Sequence, residues 1–324
     1  MNFYRIFNII YSANAVLSIL PMSLIVGISG LNLVSLQMKK SDRLYFPNKW
    51  INQNSFSEQI DESSKSKSIA ITPAGLKGFY SLGVCTFLKE NYNLTDYLFT
   101  GASAGSWNSL FLSFKHDPKS FVDLLFNIDY QSANTMLDIE ILLKNNILNK
   151  YSDKDFDLDS IYLGTTIIEG NRIKNMIYNK FDDLEDALAC CIASSHIPFV
   201  TGGFFKRYKG KITFDGGFCS FFNICPYYSK IQPSLIIDPD LFSGNTKDSS
   251  ILNSSFYPYD IRTHSIKRIG NSQSDYIDIC DILRGSFDSL DIRNINLIKK
   301  MYEEGYNNCI KNKKFLDEIF NQDR

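Results

Sequence analysis

Histidine is scarce in this chain, three in 324 residues, and so is tryptophan, with two. An excess of charge of either sign is missing as well: 34 Lys and Arg face 35 Asp and Glu, for a formal net charge of −1. A nucleic-acid surface wants a basic stripe, so this balance speaks against nucleic acid as a partner. The seven cysteines (85, 190, 191, 219, 225, 280 and 309) are scattered, odd in number and without C-x-x-C spacing. They read as buried free thiols in a reducing compartment rather than as a disulfide framework. No His/Cys/Asp cluster has ligand spacing, so no metal is expected. Asp153-Lys154-Asp155-Phe156-Asp157-Leu158-Asp159 alternates acids but has no glycine turn or terminal Glu, and reads as a solvated loop rather than a calcium loop. Nothing calls for a cofactor, and no internal repeat stands out. What is plentiful is aromatic: 25 Phe and 18 Tyr, within a hydrophobic share of 44%. That suits a protein that handles lipid, and it equally suits an A/T-rich coding sequence.

The most informative residues are Gly101-Ala102-Ser103-Ala104-Gly105. This G-x-S-x-G run follows a strand-like stretch, Tyr97-Leu98-Phe99-Thr100, and opens a helix-like one, Ser106 to Phe114. That context is the one a nucleophile elbow needs. Gly101 and Gly105 leave room for a sharp strand-to-helix turn, and Ser103 falls at a helix N-terminus that favours developing negative charge. A similar unit lies upstream. Ser68 to Thr72 reads as a short buried strand, Pro73 to Gly78 as a glycine-bearing turn, and Phe79 to Glu90 as a helix. Its amides, over Ala74, Gly75, Leu76, Lys77 and Gly78, form a candidate oxyanion hole for Ser103, although an ordinary βα turn has the same pattern. Pro73 has no N–H to give.

The base for Ser103 is open on residues alone. His116, 13 residues on, falls near the far end of the same helix, roughly 20 Å away. His196, in Ala193-Ser194-Ser195-His196-Ile197-Pro198, reads as a structural histidine at a helix end. His264 gives the chain order Ser103, Asp215, His264 of an α/β-hydrolase triad. Asp215 alone is the better candidate. It ends the apolar stretch Ile212-Thr213-Phe214 and precedes Gly216 and Gly217. A carboxylate in hydrogen-bond reach takes the serine proton directly, making a dyad.

These three motifs, in this order, resemble the patatin-like phospholipase family, including its triacylglycerol-lipase-like branch. Gly75-Leu76-Lys77-Gly78 is similar to the end of that family's glycine motif, Gly101 to Gly105 to its serine motif, and Asp215-Gly216-Gly217 to its dyad motif. Weaker similarity runs through Phe79 to Val84, Ile192 to Phe199 and Met301 to Tyr306, so the resemblance covers about Ser66 to Lys311. It implies an α/β three-layer fold with a mainly parallel central sheet and a serine lipid acyl hydrolase acting through Ser103 and Asp215 without metal or cofactor. Phospholipid is the first-choice substrate and neutral glycerolipid the second, met at a membrane surface. The chain departs from the family in having Pro73 and Ala74 where more glycines are usual. That keeps a catalytically silent lipid-binding scaffold in play.

The organisation expected is a hydrophobic segment over 1–40, a polar linker over 41–66, the catalytic core over 67–240 and a mostly helical extension over 241–324. No charge falls between Ile6 and Met38. The most apolar part of that stretch, Ala15 to Val34, is long enough to span a bilayer as a helix, and Lys39, Lys40, Arg43 and Lys49 after it put the core on the cytoplasmic side. A cleaved signal peptide, which would send the core outside, and a hydrophobic helix docked on the core are the alternatives. The sequons at Asn93 and Asn253 matter only in a luminal protein. Within the core, strands are expected near 68–72, 97–100, 161–168, 212–214 and 234–237. Helices are expected over 76–90, 104–115, 118–128, 135–147 and 184–194. Phe204 to Lys211 mixes aromatic and basic residues just before Asp215; it reads as a hairpin with solvated charges or as an interfacial lip beside the site.

Overall fold

A computed structural model describes residues 65–169, 172–198, 200–222, 224–239, 256–260, 265–266 and 294–321. The hydrophobic segment over 1–40, nearly all of the linker, His264, Asn253 and Cys280 lie outside them. All the described residues belong to one compact unit, Ile51–Ser274 with Ile292–Arg324.

The architecture is α/β, a mixed sheet with seven α-helices among the described residues. Among the described residues nine strands run in chain order: β1 (Lys67–Ile71), β2 (Tyr97–Ala102), β3 (Ile161–Glu169), β4 (Arg172–Tyr178), β5 (Lys206–Tyr208), β6 (Lys211–Phe214), β7 (Pro233–Ile237), β8 (Phe256–Asp260) and β9 (Ser265–Ile266). The helices are α1 (Gly78–Asn91), α2 (Ala104–Ser113), α3 (Pro118–Phe126), α4 (Met136–Lys150), α5 (Leu184–Ser194), α6 (Ile295–Lys311) and α7 (Lys313–Phe320).

The centre of the sheet, β7-β1-β2-β3, is parallel. Its strands are the ones expected from apolar runs, and β2 is buried at every position because parallel strands are covered on both faces. The flanks are antiparallel: β4 and β6 on β3, β5 on β6, β8 on β7 and β9 on β8. β4 was not expected. Arg172-Ile173-Lys174-Asn175-Met176-Ile177-Tyr178 is half polar and only partly buried, so it has neither the apolar run nor the clean alternation that marks a strand.

Helix ends are set by local chemistry. Asp117 caps α3, with Pro118 at its first position, and Asp183 caps α5. Thr135 and Asp138 form a reciprocal capping box that fixes the start of α4. α2 ends at Ser113, earlier than expected. Its last carbonyls are taken by Lys89 Nζ from α1, which reaches Leu112 O at 2.9 Å and Phe114 O at 2.5 Å. His116 is therefore on no helix with Ser103. It is exposed and bonds Asp155 Oδ1 at 2.6 Å. The acidic run is likewise more than a solvated loop. It forms two 3-10 turns, Asp155 accepts from Ser152, and Asp157 pairs with Lys65 at 2.7 Å.

α2 packs directly on β1, β2 and β3, with α5 beside it and α1 on its other side. Leu98 and Tyr162 pack with Ile177, Tyr228 and Ile231, so the segment 224–231 covers those strands there. Of the extension over 241–324, expected to be a mostly helical addition to the core, the described residues form α6 and α7 but also β8 and β9, which continue the sheet beyond β7; α6 lies along α1. A Cβ at Gly305 would strike the Tyr80 carbonyl, and one at Gly83 the Tyr302 carbonyl, so the two backbones touch. Among the described residues no helix is long and apolar enough to cross a membrane.

Candidate active site

β3 brings the two key residues together. Its first half pairs with β2, ending Ala102 against Gly164, and its second half pairs with β6, ending Phe214 against Thr166. β4 pairs along Leu163–Glu169, overlapping both, so it holds the opposite edge. β2 and β6 therefore meet head to head on one edge of β3. The residues that follow them, Ser103 and Asp215, face each other across the one-residue gap at Thr165.

Ser103 is held at φ 55°, ψ −128°. Among the described residues only Lys209 is another non-glycine with positive φ. Such a conformation costs on the order of 1–3 kcal/mol and persists only when its surroundings over-determine it. They do here. A Cβ at Gly105 would collide with the Ile71 carbonyl, so only glycine lets the helix start this close to β1. The Ser103 amide donates to Ser194 Oγ at 2.7 Å, and that hydroxyl donates to Gly164 O at 2.6 Å. The Ser103 carbonyl accepts from the Ser106 amide at 2.9 Å and the Ser106 hydroxyl at 2.6 Å. Gly101 lies between Ile71 and Leu163 in the sheet.

The Ser103 hydroxyl donates to Asp215 Oδ2 at 2.6 Å. Asp215 is itself immobilised. Its Oδ1 accepts from the Gly217 amide at 2.7 Å, its amide donates to His196 O at 2.7 Å, and its carbonyl accepts from Thr166 Oγ1 at 2.8 Å. Gly216 opens the 3-10 turn that carries Gly217. Asp215 is only 1% exposed. Burial lifts its carboxyl from 3.8 to about 6, against the opposing pull of the Ser103 hydroxyl and the Gly217 amide. A carboxylate poised there is free to take a proton near neutral pH.

The glycine turn stands next to the serine. Gly75 has φ 51°, and Gly75–Lys77 forms a 3-10 turn running into α1. The turn divides the five amides expected to form an oxyanion hole. Lys77 donates to Ala74 O at 3.1 Å, and Gly78 donates to Gly75 O and Leu76 O. Those two amides close the turn, which leaves Ala74, Gly75 and Leu76 as candidate donors. The Ser103 amide is spent on Ser194, so the contribution of the α2 end starts at Ala104. Pro73 lies against Gly217, where a Cβ would come 2.9 Å from Pro73 Cβ and from Asp215 Oδ1. The residue without an amide thus backs the Asp215 turn.

His196 is 2% exposed and supports Asp215 through its carbonyl. Burial holds its ring below the usual imidazole range, and its Nε2 has no hydrogen-bond partner. Ser103 bonds Asp215 and not this ring.

Ser103 opens into a cavity with about 940 Å³ of atom-free space, its open mouth included. Gly75, Leu76 and Ala104 line it near the serine; Phe79, Phe111, Phe121 and Leu143 make much of the rest. One lining residue was missed from sequence. Glu140, on α4, is a lone acid between Ile139 and Ile141, 5% exposed. Its place between Ile139 and the apolar run Ile141-Leu142-Leu143 was the available signal.

Phe204 to Lys211 contains the β5–β6 hairpin, turning at Lys209 and Gly210, both at positive φ. Lys209 pairs with Asp186 at 2.8 Å and Lys211 with Glu169 at 2.7 Å, and the buried Tyr208 hydroxyl bonds Asp186 Oδ1. Two of the four cations of the imagined lip are thus engaged within the protein. Phe205 stays 37% exposed, under Arg207.

Among the described residues no group of three or more His, Cys, Asp or Glu side chains could hold a metal ion. Cys85, Cys190, Cys191, Cys219, Cys225 and Cys309 are free, and burial pushes their thiols up, which makes them poor nucleophiles. No protein-family model matches the chain, and no curated protein matches it significantly.

Proposed function

We propose that this protein is a serine hydrolase of lipid carboxylic esters working through a Ser103–Asp215 dyad, with phospholipid as first-choice substrate and neutral glycerolipid as the second. The observation that carries it is the 2.6 Å bond from the Ser103 hydroxyl to a buried carboxylate, with the serine strained in the wall of a largely apolar cavity. Ser103 Oγ attacks the ester carbonyl while Asp215 Oδ2 takes its proton. The oxyanion forms against the amides of Ala74, Gly75 and Leu76, with Ala104 at the start of α2. The C–O bond to the alcohol then breaks, and the proton passes from Asp215 to the leaving oxygen. Asp215 then deprotonates a water, which attacks the acyl-serine; the bond to Ser103 Oγ breaks, the fatty acid is freed, and Asp215 returns the proton to Ser103 Oγ. The apolar walls suit an acyl chain.

The same reading extends to architecture: a three-layer patatin-like fold, tethered at a membrane surface by the hydrophobic stretch over 1–40. The mixed sheet with a parallel centre is in keeping with it. A fluorophosphonate probe tests the chemistry. It should label the wild type and fail on Ser103→Ala, and Ser103→Ala and Asp215→Asn should both lose ester hydrolysis across phospholipid, lysophospholipid and triacylglycerol. Labelling that persists in folded Ser103→Ala would move the nucleophile elsewhere. No labelling and no hydrolysis by a folded wild type would favour the silent lipid-binding scaffold.

A further inference from the structure

Glu140 is the group the dyad chemistry leaves unused. It is 5% exposed, it lines the cavity onto which Ser103 opens, and its Oε2 has no hydrogen-bond partner. Its position is not accidental slack. The capping box fixes α4 at its start, and α4 packs on α5, the helix that carries Ser194 and so braces the Ser103 amide. The groups facing it are Asp215, Lys206 and, on α5, Cys191. Burial, then the Asp215 carboxylate, hold the Glu140 carboxyl well above the usual range, with Lys206 opposing them. A neutral carboxylic acid carries one O–H donor and a carbonyl acceptor. The apolar neighbours Met136, Ile139 and Leu143 answer neither.

A plain hydrocarbon chain in this cavity would leave that acid unpaired, which is costly in an apolar surrounding. A ligand hydroxyl, donor and acceptor at once, complements it. We propose that Glu140 is a specificity determinant that selects esters carrying a hydroxyl group near the ester carbonyl. The hydroxyl has two sources, a free glycerol hydroxyl of a monoacyl glycerolipid or a hydroxyl on the acyl chain. This deepens the reading of Ser103 as an ester-cleaving nucleophile and rests on it.

Two matched substrate pairs test it on the full chain in detergent: 3-hydroxypropyl laurate against propyl laurate, and ethyl 3-hydroxylaurate against ethyl laurate. The wild type should favour the hydroxylated member of one pair by about tenfold or more in kcat/KM, and the pair that responds identifies the source. Glu140→Gln, which keeps a donor and an acceptor, should retain the preference. Glu140→Leu should bring the ratio near one while p-nitrophenyl butyrate is still cleaved. An unchanged ratio in Glu140→Leu, or no preference in the wild type for either pair, overturns the proposal. So does a wild-type preference for a choline-bearing ester that Glu140→Gln abolishes, which would mean an ionised carboxylate holding a cation. Failure of the hydrolase reading looks different: no p-nitrophenyl butyrate cleavage by any variant. In that case 1-O-dodecylglycerol, which has no ester, should still raise the melting temperature of wild type and Glu140→Gln more than that of Glu140→Leu. Equal shifts in all three proteins would overturn Glu140's role.

Discussion

Replacing Asp215 with Asn should remove activity and make the protein more stable. The carboxyl is lifted from 3.8 to about 6 in the folded protein, chiefly by burial. Between those values the native state binds the proton more tightly than the unfolded chain does. The contribution of Asp215 to stability is therefore fullest below 3.8, falls as pH rises through the window, and is lowest above about 6. A shift of about two units at 1.36 kcal/mol each makes the ionised Asp215 cost about 3 kcal/mol at pH 7.5. Asparagine has nearly the same shape, accepts from Gly217 through its oxygen and donates to Ser103 through its nitrogen, so the two contacts survive without the charge. For a domain of this size each kcal/mol is worth about 2–4 °C. The gain in melting temperature should thus reach roughly 6–12 °C at pH 7.5 and shrink towards zero at pH 3.8. Thermal melts of both proteins from pH 3.8 to 7.5 measure it, beside an ester assay in which Asp215→Asn loses at least about 10²-fold. A mutant less stable than wild type at pH 7.5, or a difference that does not change with pH, would refute the reasoning.

If Asp215 is the base proposed above, kcat/KM should fall below about pH 6, and a limb near pH 4 would mean a solvated base. Ser103→Gly should be as inactive as Ser103→Ala but more stable by about 1 kcal/mol in a urea titration, because glycine accepts φ 55° without strain; equal stabilities would deny that the elbow is strained. Gly305→Val should push α6 off α1, since its Cβ meets the Tyr80 carbonyl. A loss of about 1–3 kcal/mol and faster proteolysis after residue 294 are expected, and a variant as protease-resistant as wild type would contradict that contact.

Much of the site was legible because its parts are local. A glycine that must admit a carbonyl, a serine that must turn from strand to helix and an aspartate that ends a strand each leave a short motif, and Gly105, Ser103 and Asp215 stand where those motifs put them. The parallel strands showed for the same reason, as apolar runs buried on both faces. What the sequence hid is relational. Nothing near Arg172 announces that β4 will pair with β3. His116 looked helical because the periodic pattern runs past Ser113, whereas the stop comes from Lys89 on another helix. The spent amides of Ser103 and Lys77 depend on Ser194 and Ala74. Glu140 became a candidate only when α4 met the cavity.

The edge of β3 acts as a ruler. Residues 112 positions apart in the chain are held at bonding distance by the register of two strand ends on a third strand. The connecting segments enter that measurement only at fixed points: Gly105 and Ser106 at the start of α2, and Ser194 and His196 at the end of α5. Between those points each connection can lengthen, shorten or change composition while Ser103 and Asp215 stay in reach, and the cavity walls it contributes can vary with it. A two-residue slip of β6, by contrast, would carry Asp215 about 7 Å along the edge and separate the pair without altering either residue.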